Sequence, residues 1–356
     1  MTIKVTDPEA FGFSTARLGR IKPAMQNYID QTIMSGIITL IARKGQVVHF
    51  EQVGYADTEA QKPMTAETIF RIYSMTKPII CTALMALYEH GRFQLTDPLA
   101  KYIPAFASPK VLEVDGNGEK REVDAIRPIT IHQLFTHTAG LTYDFLIDSP
   151  VSAMYREAKL MYAAERTLEE VILEVARFPL AYQPGTRWHY SVSIDVLAYL
   201  IEVLSGQPLA DYLQQTIFEP LGMADTAFYV PAEKQDRLAA IYGPASSETA
   251  QMSFYSLMQD WQTANYKRLD LSTPYPADKT ESFVRGGLGL FSTTADYLRF
   301  AQMLLNQGEL DGARIIGRKT AELMHSNHLP LNLLPYEIGG IPSLGYGFGL
   351  GSRVLL

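Results

Sequence analysis

The chain has 356 residues, enough for one large domain or two. Its 47% hydrophobic and 19% charged residues are globular proportions and exclude a disordered chain. A net charge of −7 with no basic run excludes a nucleic-acid binder and suits a small neutral or polar ligand better.

At the N-terminus, "MTIKVTDPEAFGFS" lacks a basic segment followed by an apolar one. No apolar stretch approaches the about 18 residues that a membrane span needs, so the chain reads as soluble and cytoplasmic, with no membrane partner. "GIITLIARKGQVVHFEQVGYAD" (36 to 57) reads as two strands joined at Lys44-Gly45. Next comes "RIYSMTKPII" (71 to 80), followed by apolar residues at three- and four-residue spacing up to His90, which predicts an amphipathic helix over 75 to 90. Pro78 fits only near the first turn, so Ser74 lies at or next to the N-cap.

Capping explains Ser74 but not Lys77, because a cation in the first turn faces the positive end of the helix dipole. Residues three apart share a helix face, so the ammonium reaches the Ser74 hydroxyl, as a nucleophile requires. Ser-x-x-Lys alone is a common tetrapeptide, and further residues are needed.

Beyond residue 92 the helical segments are "TIHQLFTHTAGL" (130 to 141), "TLEEVILEVARFPL" (167 to 180) and "SIDVLAYLIEVLSGQPLADYLQQTIFEPLG" (193 to 222). Residues 233 to 281 read as a long surface segment that could wall a pocket. A strand-like "FVRGGLGLFST" (283 to 293), a helix over 294 to 308 and "LGYGFGLGSRVLL" (344 to 356) complete the chain. The expected architecture is α+β: a sheet domain over 1–91 and 283–356, flanked by helices, with a mainly helical domain inserted over 92–282. The cleft between them is the expected ligand site.

A serine needs a proton acceptor, and "QPGTRWHYSVSIDV" (183 to 196) offers Tyr190 on the loop that enters a helix near Ser193. A phenol ionises only near about pH 10 in water, so it acts as a base beside a cation, which Lys77 can supply. His189 is a rival base that no spacing ties to Ser74. Cys81, the single cysteine, sits among apolar helix positions and reads as a buried structural thiol. The seven histidines show no metal-ligand spacing, and His325 and His328 read as a solvated helix end. No metal and no cofactor are expected.

"SMTK", "LFTHTAGL" (134 to 141), "PGTRWHYS" (184 to 191), "IFEPLGMADTAF" (217 to 228) and "GGLGLFSTTADYLRFAQMLLNQG" (286 to 308) together resemble the serine β-lactamase and penicillin-binding-protein superfamily. Within it they are most like the class C β-lactamase-like esterases, the family VIII carboxylesterases. The resemblance implies a β-lactamase-like fold and an acyl-enzyme mechanism, with Ser74 as nucleophile, Lys77 as its partner and Tyr190 as general base. It also makes the Ser74 backbone N–H an oxyanion donor and puts Tyr73 and Val192 in the substrate pocket.

Two departures bear on substrate. Where class C β-lactamases have Tyr-x-Asn, this chain has Tyr190-Ser191-Val192, and valine cannot bind a lactam's amide side chain. The family's third motif, a Lys, His or Trp one residue before a Gly, is not found; Lys319-Thr320-Ala321 falls in a helix start, and the motif is expected beyond Leu356, where the chain reads as cut within a strand. The expected activity is therefore hydrolysis of short-chain carboxylic esters. A β-lactamase or D-Ala-D-Ala carboxypeptidase and a non-catalytic binding protein of the same fold are the alternatives. An α/β-hydrolase is disfavoured because no G-x-S-x-G occurs.

Overall fold

A computed structural model describes residues 3–161, 164–244, 266–272, 275–278, 283–338 and 340–356. The 36–57 hairpin forms as expected: strands Gly36–Arg43 and Gln46–Asp57 pair antiparallel, from Gly36 opposite Gly54 to Arg43 opposite Gln46. Lys44 and Gly45 both take positive φ (52° and 75°), the two-residue turn that matches the twist of paired strands. Lys62–Pro63 adds a third antiparallel strand. Farther on, Phe70–Arg71 pairs with Phe291–Ser292, which brings the two ends of the sheet region together directly before Ser74.

The helix after Ser74 runs over Thr76–Glu89 and differs from expectation in its surroundings. Ile79, Ile80, Cys81, Ala83, Leu84 and Met85 are all fully buried, so the helix is central rather than amphipathic. One side packs on the helix Ser193–Ser205, itself apolar along most of its length and ended by Gly206 in the left-handed conformation (φ 71°). Cys81 is a buried thiol.

The block from 92 to 282 holds the expected helices. Ile131–Phe135 and Leu168–Val175 each start with a threonine in a reciprocal cap, Thr130 with Gln133 and Thr167 with Glu170. It also holds structure that is not helical: a hairpin of Lys110–Val114 with Lys120–Asp124, and strands Ile241–Pro244 and Tyr266–Leu269. The rest of the predicted 233–281 surface segment lies largely outside the described residues. After the strand Phe291–Ser292, Thr293 caps the helix Thr294–Leu305, and "FVRGGLGLFST" is otherwise a glycine-rich loop rather than a strand. Near the C-terminus, Tyr346–Phe348 pairs with Arg353–Leu355. The solvated helix end proposed for His325 and His328 is half right: His328 is partly buried, and its ring lies beside that of His132.

Among the described residues no helix is long and apolar enough to cross a membrane. Nor do three or more metal-ligating side chains gather among them.

Candidate active site

Ser74 lies in a short 3-10 turn, Tyr73–Met75, that leads into the central helix. The helix N-cap is Met75, so Ser74 lies next to the cap as expected, and no side chain caps the helix. The turn is held from two sides: the Ile72 N–H donates to the Leu290 carbonyl at 3.0 Å, and the Tyr297 hydroxyl donates to the Met75 carbonyl at 3.0 Å. Tyr73 takes φ 43°, left-handed backbone that a bulky residue rarely adopts, at a cost of roughly 1 to 3 kcal/mol that the surrounding bonds must offset. Its ring meets that of Tyr275 edge-on at 5.4 Å.

The Ser74 hydroxyl is exposed, and two groups converge on it. Lys77 Nζ donates to Ser74 Oγ at 3.0 Å, and Tyr190 OH shares a hydrogen bond with the same oxygen at 2.6 Å. With the ammonium as donor on one side, the Ser74 proton is free to point at the phenolic oxygen. Lys77 is almost wholly enclosed (4% exposed). Its second hydrogen bond goes to the Gly287 carbonyl at 2.6 Å, and its ammonium faces the rings of Tyr190 (4.7 Å) and Tyr143 (5.2 Å). Partners such as these offset the cost of burying a charged amine.

Tyr190 is fixed by packing. His137 lies 5.0 Å from its ring, Tyr143 5.1 Å and Trp188 6.3 Å. His137 is buried, and burial holds it well below the ordinary imidazole range, so it is a neutral wall. His189 does not reach Ser74. Its Nε2 bonds Thr142 Oγ1 at 3.0 Å, and burial lowers it to about 4 despite Asp148 nearby, so at neutral pH their 3.6 Å contact is not an ion pair.

Sequence reading thus named three side chains that the fold brings together, Ser74, Lys77 and Tyr190, and one that it keeps away, Val192. The Val192 side chain has no exposed surface and belongs to the core at the start of the Ser193–Ser205 helix, so it is not pocket wall. Tyr73 is more than a third exposed beside Ser74. Lys319 is exposed on the helix Arg318–Met324 and pairs with Glu322, as a surface residue does. Sequence reading missed Gly287, Tyr143 and Asp195. Asp195 Oδ1 accepts the Gly287 N–H at 2.9 Å, behind the lysine. The one signal for it was a carboxylate inside an otherwise apolar helical run, "SIDVLAYLI".

An exposed serine in the turn before a buried helix, a lysine three residues on and a tyrosine from the loop before the Ser193–Ser205 helix meet in the arrangement of a serine hydrolase of the β-lactamase superfamily. The chain belongs to the Beta-lactamase family, which it matches over residues 21–352. It is 32% identical over 333 residues to protein Rv1367c of Mycobacterium tuberculosis, covering 93% of this chain and 78% of that one. Esterase EstB of Burkholderia gladioli is 33% identical over 256 residues, which are 71% of this chain and 62% of EstB. Among solved structures, that of EstCE1, described as a hydrolase with promiscuous acyltransferase activity, superposes with a TM-score of 0.74 at 30% identity, covering 95% of this chain and 82% of that one.

Proposed function

We propose that the protein is a carboxylesterase that cleaves short-chain esters through an acyl-enzyme on Ser74. The observation that carries this reading is the convergence of Lys77 Nζ and Tyr190 OH on one exposed serine oxygen. Ser74 Oγ attacks the ester carbonyl while its proton passes to the Tyr190 oxygen, and the alcohol leaves with that proton. Water then attacks the acyl-enzyme, giving a proton to Tyr190, which returns it to Ser74 Oγ as the acid departs. Lys77 supplies positive charge beside the oxygens between which the proton moves. The Ser74 backbone N–H serves as one donor to the tetrahedral oxyanion, a role typically worth about 3 to 4 kcal/mol.

Esters are favoured over β-lactams by the named relatives. EstB and the lovastatin esterase of Penicillium rubens, 27% identical over 307 residues, are esterases by name. The test compares an activated short-chain ester with a chromogenic cephalosporin on purified protein. The expected result is ester turnover, with the cephalosporin leaving a persistent adduct on Ser74 by mass spectrometry. Cephalosporin turnover with kcat/KM above that of the best ester would overturn the substrate assignment.

A further inference from the structure

Beneath the nucleophile, three charged side chains are sealed from water: Lys77 at 4% exposure, and Arg285 and Asp195 at 0%. They come from three separate parts of the chain, the central helix, the glycine-rich loop and the Ser193–Ser205 helix. Gly287 joins two of them through its backbone. Its N–H donates to Asp195 Oδ1 at 2.9 Å, and its carbonyl accepts from Lys77 Nζ at 2.6 Å. A Cβ at this position would collide with Asp195 Oδ2 and come within 2.6 Å of the Tyr143 hydroxyl, so only glycine lets the carboxylate and the lysine close on the same residue.

Arg285 donates to the carbonyls of Val284 (2.8 Å) and Arg166 (3.0 Å). Asp195 interacts electrostatically with both Lys77 and Arg285. Around Lys77 the other titratable groups are Tyr143, Tyr190, His137 and Cys81; burial keeps the last two uncharged. Arg285 also feels Arg166, Glu165 and Glu170. Asp195 is thus a buried carboxylate that acts on the lysine of the site. Burial pushes its carboxyl up, while Lys77, the Gly287 N–H and Arg285 pull it back.

We propose that Asp195 is a positioning residue of this site: its carboxylate anchors Gly287, so that the Gly287 carbonyl holds the Lys77 ammonium against Ser74, and it balances the buried cations. The proposal rests on Ser74 being the nucleophile. A purely structural role, stapling the helix to the loop, would leave the site's proton affinities alone, and pH dependence separates the two.

Asp195→Asn keeps the shape and the oxygen that accepts from Gly287 but removes the charge; Asp195→Ala removes both. The readouts are the rate of Ser74 labelling by a fluorophosphonate reagent and kcat/KM for an activated ester, each measured from pH 5 to 10 and normalised to its own maximum, which cancels any loss of folded protein. Every proton within reach of a lost negative charge leaves more readily, so both variants should shift the profile toward lower pH by on the order of one unit. Asp195→Ala should also lower the maximum further than Asp195→Asn. Profiles that keep the wild-type shape in both variants would overturn the proposal and leave Asp195 a structural staple. Wild-type protein that labels at no pH would instead overturn the nucleophile assignment, and this proposal with it.

Discussion

Asp144 lies between Tyr143 and Phe145, two of the stacked rings that lead to Tyr190. Its side chain is 2% exposed, and Oδ1 finds no hydrogen-bond partner among the described residues. Burial lifts the carboxyl from 3.8 to about 6, against smaller opposing effects of the Phe145 N–H and Arg156. The difference of roughly 2 pH units, at about 1.4 kcal/mol each, corresponds to about 3 kcal/mol. Its sign follows from which state holds the proton more tightly. The folded state does, so this group favours folding most below pH 4, and that advantage drains away as pH rises through about 6. Asp144→Asn has nothing to ionise. It should therefore match wild type near pH 4 and be more stable by up to about 3 kcal/mol at pH 8. Urea unfolding of both proteins at pH 4, 6 and 8, followed by tryptophan fluorescence, measures the difference. A stability difference that does not change between pH 4 and pH 8 would refute the reasoning.

Ser74→Ala should lose hydrolysis by about a thousandfold or more while its stability moves by less than about 0.5 kcal/mol, because Ser74 is exposed and caps nothing; thermal unfolding and labelling by a serine reagent check both halves, and an acyl adduct on the variant would refute the role. Lys77→Met and Tyr190→Phe should each cut kcat severely, with the double variant little worse than either, since both act on one oxygen; additive losses in a double-mutant cycle would show independent action. His189→Asn should leave the pH–rate profile above pH 5 unchanged in shape, because burial holds that imidazole near 4; loss of a limb would move the base role to His189.

The parts of the site that were legible in the sequence are those whose signal is local. Ser74 and Lys77 are three residues apart at a helix start and Tyr190 precedes a helix by three residues; in the fold, Lys44-Gly45 likewise sits between two β-rich runs. The parts that were not legible are joined only by the fold. Gly287 lies 210 residues from Lys77, and nothing in a glycine-rich run announces which carbonyl an ammonium will use. Periodicity also misled in one place. The apolar spacing after Ser74 predicts one buried face, yet Cys81 and Thr82 outside it are fully buried too, because residues this small fit against neighbouring elements. Val192 failed for a related reason, because its place two residues after Tyr190 fixes its position in the chain but not the direction of its side chain. The 110–124 hairpin is flanked by charged residues, and its "DGNG" turn was submerged in a block read as helical.

The central helix carries a consequence for how the protein moves. Between Ile79 and Leu87 it is covered all round, so its amides there exchange with deuterium only when the surrounding layers separate, and their protection should approach that of global unfolding. The turn that bears Ser74 begins at an exposed Tyr73, directly before that helix, and its amides should exchange far sooner. The Ser74 oxygen should therefore sit where local stability changes steeply, with Lys77 on the protected helix and the Ser74 backbone on the less protected turn.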